Sequence, residues 1–141
     1  MGAMKASVSG NLAVISFYLL IIGFSSISVH VDALRNHIVG GDRGWRFPAK
    51  SSYNIWALHR SFVAGDTLHF KYSRGAHDIV RVDAAGYRKC KVSAKESAKA
   101  VSSGSDKIRL KKGINYFICS LPGHCAAGMK IKVHVKKQKS H

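Results

Sequence analysis

The segment Cys119–Met129 reads Cys-Ser-Leu-Pro-Gly-His-Cys-Ala-Ala-Gly-Met and lies between two stretches that are typical of β-strands. Asn115–Cys119, before it, is aromatic and β-branched, and Lys130–Val135, after it, alternates apolar with basic residues. These flanks predict a tight loop between two rigid strands. A thiol, an imidazole and a thioether follow one another in this loop, each separated from the next by four residues.

Further strands are predicted elsewhere in the chain. The alternation recurs at Thr67–Tyr72 and Lys107–Leu110, and Asp78–Val82 is a β-branched run. Turn-forming Gly, Ser and Asp residues separate these runs. One helix is predicted near Ala94–Ala100, where the sequence carries a capping box. Short strands with frequent turns predict an all-β fold, a β-sandwich or small barrel, with one or two short helices.

The N-terminal residues have a different composition. Leu12–Val29 is an apolar run without a charge, and it follows a short stretch with one lysine. Val31-Asp32-Ala33 comes after it and places a small residue at a plausible cleavage point. This layout is typical of a secretory signal peptide, predicted here as residues 1–33 and removed from the mature domain, 34–141. An uncleaved membrane anchor is the alternative, because such a run is just long enough to span a bilayer.

The chain is strongly basic, with 23 Lys and Arg against 7 Asp and Glu in 141 residues and a net charge of +16. Removing residues 1–33 takes away one charge of each sign, so the net charge is unchanged. A polyanionic partner is one explanation and a solvated charged surface is the other. Secretion argues against nucleic acid and leaves acidic polysaccharide as the better candidate.

A metal site is predicted from the loop and one distant histidine. His77 directly precedes the Asp78–Val82 run and supplies a second imidazole. Two imidazoles and a thiolate in a plane, with a weak axial thioether, form the ligand set of a blue-copper electron-transfer site. The sequence therefore predicts one type 1 copper ion bound by His77, Cys119, His124 and Met129.

Two other chemistries fit the loop less well. Zinc sites usually contain a closely spaced Cys pair, which this chain lacks, and Met is a poor zinc ligand. A Cys–His nucleophile would not need Met129, and no Asn or Asp is obviously placed to orient its histidine. No substrate pocket or acid–base pair is evident either, so we do not expect an enzyme.

The odd number of cysteines, three, agrees with the copper prediction. If Cys119 binds copper, Cys90 and Cys125 remain to form a disulfide in an oxidising compartment. The alternative Cys90–Cys119 bridge would remove the thiolate from the site. Four other histidines, without ligand-like neighbours or on outward strand faces, are predicted at the surface: His37, His59, His69 and His134.

The motifs around these residues resemble those of the phytocyanins, the plant blue copper proteins. The similar segments are Tyr116–Ile131, which contains the copper loop, Val39–Trp45 with its Gly-Gly and Gly-Trp pairs, Phe62–Phe70, and Gly86–Cys90. The resemblance extends from about residue 38 to residue 135. It implies a cupredoxin-like Greek-key β-sandwich in an extracellular, cell-wall setting.

Finer features place the resemblance within that family. Met129 at the axial position differs from the Gln of stellacyanins, and the basic charge without a Pro-rich or anchor tail resembles plantacyanins, also called basic blue proteins. One departure is Asp78, where these proteins often have Asn. A carboxylate near copper would favour Cu(II).

Two functions follow as hypotheses. The first is a secreted, monomeric one-electron carrier without a stable membrane anchor, whose small redox partner docks at an exposed ring edge of His124. The second is a basic cell-wall interaction or signalling protein, for example in plant reproduction, in which copper is structural or incidental.

Overall fold

The computed structural model describes residues 2–3, 33–47 and 52–136. The chain divides into two units, Met1–Asp32 and Ala33–His141, and the description below concerns the second. Apart from Gly2, Ala3 and Ala33, the predicted signal peptide lies outside the described residues. Among the residues that are described, no helix is both long enough and apolar enough to cross a bilayer.

Strands dominate the described part of the second unit, and they form two sheets. The strands are β1 (Asn36–Ile38), β2 (Phe62–Val63), β3 (Thr67–Lys71), β4 (Val80–Val82), β5 (Ser105–Arg109), β6 (Gly113–Ile118) and β7 (Lys130–Lys136). One sheet has the order β1-β3-β5 and the other the order β2-β7-β6-β4. The β1–β3 and β2–β7 pairs are parallel, and the remaining pairs are antiparallel.

Short helices connect the strands. They are a 3-10 turn (Gly41–Arg43) and the α-helices α1 (Tyr53–Leu58), α2 (Ala84–Lys89) and α3 (Ala94–Ser97). The predicted helix is confirmed as α3, with its capping box between Ser93 and Glu96, although it ends earlier than expected. Helices α1 and α2 have only six residues each, too few to show an apolar period, and the sequence pattern did not reveal them.

The two sheets pack face to face around an aromatic core, so the predicted β-sandwich is confirmed. The Phe70 ring on β3 contacts the Phe117 ring on β6 at a centroid distance of 5.7 Å. Trp45 packs edge-on against Phe70 at 5.1 Å and is completely buried. The alternation predicted along β7 is also observed. Ile131, Val133 and Val135 are buried, whereas Lys132 and His134 are exposed.

The prediction that His69 lies at the surface was wrong. The His69 side chain is only 7% exposed, and its Nε2 lies 2.8 Å from the Ser105 hydroxyl. Strand β3 has a neighbour on each side, so even a side chain on its outer face is covered by the flanking strands. His37 is also not a free surface residue, because it packs on Phe62 and its Nε2 lies 2.9 Å from Asp66 Oδ2.

The predicted disulfide between Cys90 and Cys125 is confirmed, and Cys119 is a free, fully buried cysteine. The bridge joins positions 35 residues apart. In the chain-entropy model, a loop of this length stabilises the fold by roughly 3–4 kcal/mol. It also attaches the Cys119–Met129 loop covalently to the end of α2.

Asp66 is a buried carboxylate that links β1, β2 and β3. Its side chain is 1% exposed and accepts hydrogen bonds from the backbone N–H groups of Arg35 (2.9 Å) and Val63 (3.1 Å), besides its contact with His37. Burial by itself raises the pKa of Asp66, but these hydrogen bonds outweigh it and the pKa is lowered. A lowered pKa means that the fold is stabilised by the ionised carboxylate.

We expect Asp66→Asn to lower the free energy of unfolding at pH 7 by about 1–3 kcal/mol, because a charged acceptor of several hydrogen bonds is lost. Since the folded-state pKa lies below the ordinary value, the stabilisation is present above about pH 4 and is lost as the pH falls below it. Urea unfolding from pH 7 down to about pH 3 should therefore show the variant and the wild type converging.

The matched control is Asp42→Asn, which makes the same charge change at an exposed position. If both variants lost the same stability at every pH, the role assigned to the buried carboxylate would be wrong.

Candidate metal centre

Three of the four predicted metal ligands converge at one end of the sandwich. His77 lies just before β4, Cys119 directly follows β6, and His124 lies in the loop between β6 and β7. Their ligand atoms all lie within 4.8 Å of one another. His124 Nδ1 is 3.2 Å from His77 Nδ1 and 3.4 Å from Cys119 Sγ. His77 and Cys119, which are 42 positions apart in the sequence, thus share one site.

Met129 is completely buried and its backbone closes the loop. The Met129 N–H donates to the His124 carbonyl at 3.0 Å, and the Cys119 N–H donates to the Met129 carbonyl at 2.9 Å. These two bonds hold the first, middle and last predicted ligands of the loop at fixed spacing. The loop is therefore a rigid turn and not a flexible connection.

Asp78 ties the segment of His77 to the loop of Cys119. Its carboxylate accepts the Ser120 N–H at 2.6 Å and also accepts a short hydrogen bond from the Ser120 hydroxyl. Its backbone carbonyl accepts the indole N–H of buried Trp45 at 3.2 Å. One residue thus connects both ligand-bearing segments with the aromatic core.

Burial shifts the protonation of the two kinds of ligand in opposite senses: it keeps His77 neutral, the form that binds metals, and it keeps Cys119 as a thiol that must lose its proton when a metal binds. Burial raises the pKa of the Cys119 thiol, although backbone N–H groups of Asp78 and Leu121 donate to the sulfur and oppose this effect. Burial also lowers the pKa of His77, and the adjacent His124 lowers it further, against an opposing contribution from Asp78. A neutral imidazole is the form that binds metals, and a metal ion supplies the positive charge that a buried thiolate needs.

Phe47 is a contact of the site that the sequence did not indicate. Its ring stacks on His124 with a centroid distance of 4.4 Å and an interplanar angle of 11°. His124 is half-buried, and Phe47 is itself 46% exposed. One face of the imidazole is therefore covered by an aromatic side chain. No motif signals this contact, because Phe47 lies far from the loop in sequence and meets it only in the fold.

The donor set suits copper better than the alternatives. Two imidazole nitrogens and one buried sulfur converge, and the sulfur lies 3.4 Å from His124 Nδ1. Soft sulfur with imidazole fits copper in both of its oxidation states. Within residues 33–47 and 52–136, no second cysteine joins the cluster, as a structural zinc site would require.

Comparisons with known proteins agree with this chemistry. Residues 45–129 match the family model of the plastocyanin-like domain. The chain is 44% identical over 98 residues to the basic blue protein of Cucumis sativus, covering 70% of this chain and 96% of that protein. It is 43% identical over 97 residues to the chemocyanin of Lilium longiflorum, covering 69% and 72% respectively.

A solved structure shows the same architecture. The cucumber basic protein, described as a blue copper protein, superposes with a TM-score of 0.65 at 40% sequence identity, covering 72% of this chain and 99% of that one. Fold, site and relatives together place this chain in the phytocyanin family of blue copper proteins. The predicted cupredoxin-like sandwich is thereby confirmed, and so is copper as the cofactor.

Proposed function

We propose that this protein is a secreted one-electron carrier that holds a single type 1 copper ion. His77, Cys119, His124 and Met129 would hold the ion through two imidazole nitrogens, a thiolate and a thioether. The observation that carries the proposal is the convergence of two imidazoles and a buried thiol within 4.8 Å, in a chain of the blue copper family.

The chain's own residues account for the efficiency of such a carrier. Copper, when bound, supplies a one-electron couple. The backbone bonds of Met129 and the Asp78–Ser120 bonds hold the donor atoms in place whatever the charge of the site. Because the ligands are fixed before electron transfer, little of the protein has to rearrange during it.

We expect addition of Cu(II) to give the wild-type protein an intense visible absorption band in the orange-red region, because a thiolate bonded directly to copper produces it. Cys119→Ser should abolish the band, and Met129→Gln should keep it while shifting the reduction potential. Absorption spectra with a parallel copper assay check the band in both variants, and voltammetry checks the potential of Met129→Gln. A colourless wild-type protein at full copper occupancy would refute the proposal.

The charge of Asp78 should tune the potential. Asp78→Asn removes a negative charge beside the site but keeps an oxygen that can accept the Ser120 hydrogen bonds. We expect the reduction potential to rise, because the carboxylate favours the more highly charged Cu(II). Voltammetry measures the reduction potential directly. Glu96→Gln is the control, because it makes the same charge change at a residue whose carboxylate hydrogen-bonds in the capping box of α3. An unchanged or lower potential in Asp78→Asn would rule out this role.

The proposed carrier would act outside the cell as a monomer, without nucleic acid, and would meet its redox partner close to His124. Such encounters are brief and use small interfaces. We assign it no enzymatic activity, because an electron carrier needs no substrate chemistry of its own.

A second candidate function, binding to acidic cell-wall polysaccharide, is favoured by the way charges are distributed. In the described part of the chain, no Lys or Arg lies within 4.0 Å of a carboxylate oxygen, and the ion pair present is His37–Asp66. Carboxylates are instead used inside the fold, as with Asp78 at Ser120 and Asp83 at the N-terminus of α2. The positive charges of the described Lys and Arg residues are therefore not neutralised by ion pairs within the fold.

Binding to polygalacturonate tests this candidate. We expect the protein to co-sediment with the polymer at low salt and to be released at high salt, because exposed charges are screened. Removal of copper should leave the binding unchanged. If copper-free protein failed to bind, or if binding persisted at about 1 M salt, the charged surface would not be the cause.

A further inference from the structure

A basic cleft opens beside His77, between the 3-10 turn region and the end of β3. Its volume is about 720 Å³, within the range of small-molecule sites in proteins. His77 forms part of its wall. The cleft therefore reaches one of the two imidazoles of the metal centre from the outside.

Cations outnumber anions in the lining of this cleft. Arg43, Arg46 and Lys71 face a single carboxylate, Asp42. Arg46 Nε donates to the Arg43 carbonyl at 2.7 Å, which holds the guanidinium against the 3-10 turn. The terminal guanidinium nitrogens of Arg46 and the ammonium of Lys71 have no hydrogen-bond partner among the described residues. The cleft thus contains two positively charged groups, of Arg46 and Lys71, that no carboxylate of the described residues neutralises.

Apolar surface completes the lining. Ile38 and Phe47 are 37% and 46% exposed, and both line the cleft. Phe47 continues from the cleft to the metal centre, where it stacks on His124. Gly44 allows the segment after the 3-10 turn to pack closely on the backbone of Lys71, since a Cβ at this position would come within 2.5 Å of the Lys71 carbonyl oxygen. Cations beside exposed apolar groups suit an organic anion with an apolar body better than an inorganic anion.

We propose that this cleft binds a small organic anion, a carboxylate, sulfonate or phenolate on an apolar body, which is a one-electron partner of the site. This assignment rests on the electron-carrier function proposed above. The electron comes from a phenolic group of the bound anion: a phenolate gives one electron to the redox centre and leaves as a phenoxyl radical, and a phenol that carries a carboxylate or sulfonate gives one electron to the centre and its hydroxyl proton to solvent, with the anionic substituent unchanged. The anion thus approaches the site from the His77 side, a second position besides the one close to His124 that is proposed above.

Binding can be measured with a redox-inert probe. Reduced, copper-loaded protein is titrated with benzoate, and with benzamide as the neutral analogue of the same shape, while backbone amide NMR signals are followed. Benzoate should shift the signals of residues 41–47 and 71–77 in a saturable way, and benzamide should not. Shifts spread over the whole basic surface, or equal effects of both probes, would overturn the proposal.

Charge-matched variants locate the site. Arg46→Gln combined with Lys71→Gln should weaken benzoate binding by at least about tenfold, because two charged donors are lost. Lys111→Gln combined with Lys112→Gln makes the same change in net charge on the exposed turn between β5 and β6, and should alter binding less than about twofold. The amide spectra report directly whether each variant is folded. Equal weakening in both double variants would show only a general charge effect and would overturn the assignment.

Reduction kinetics connect the cleft with electron transfer. The rate of reduction by hydroquinonesulfonate should saturate and fall at least about tenfold in the Arg46/Lys71 variant, whereas reduction by uncharged hydroquinone should not change. Equal rates in the variant and the wild type would reject the cleft as the entry point. The copper-thiolate absorption band is judged separately. A protein that shows the band but no benzoate binding refutes only the cleft, and one without the band refutes the carrier.

Discussion

The structure of the metal centre depends on the carboxylate of Asp78. It binds the N–H and hydroxyl of Ser120, so the segment that carries His77 and the loop that carries Cys119 and His124 cannot move apart. The same residue accepts the indole N–H of Trp45, which is completely buried between the sheets. The position of the ligands is thus set by the hydrophobic packing of the sandwich. A loop that is otherwise exposed to solvent acquires the rigidity of the core.

Much of this could be predicted from sequence, because the relevant signals are local. The alternation of apolar and polar residues along β7 predicts which of its faces is buried. The thiol, imidazole and thioether of Cys119, His124 and Met129 indicate copper from sequence alone. The features that escaped prediction are non-local. The burial of His69 depends on neighbours on both sides of β3, and the Phe47–His124 stack joins segments far apart in sequence. Helices α1 and α2 are too short for periodicity to report them.

The basic charge and the metal centre are related through the carboxylates. Some carboxylates hydrogen-bond to backbone N–H groups inside the fold and do not pair with surface cations. Asp66 binds the N–H of Arg35 just before β1, and Glu96 takes part in the capping box of α3. A chain with few acidic residues that uses them internally is left with its positive field intact. This field surrounds the site on the side of Arg46 and Lys71. A positive field of this kind attracts anionic molecules towards the metal centre.

The three cysteines have a consequence for the order of assembly. An unfolded chain can form three different cysteine pairs, and one of them leaves Cys119 as a thiol. In the native fold Cys119 is fully buried while Cys90 and Cys125 are bonded to each other, so thiol exchange between them is blocked by lack of access. A Cys90–Cys119 or Cys119–Cys125 bridge would consume the one sulfur that the copper site needs, so the native pairing and metal binding are compatible with each other. The buried position of Cys119 thus protects the metal ligand from the oxidation that joins the other two cysteines.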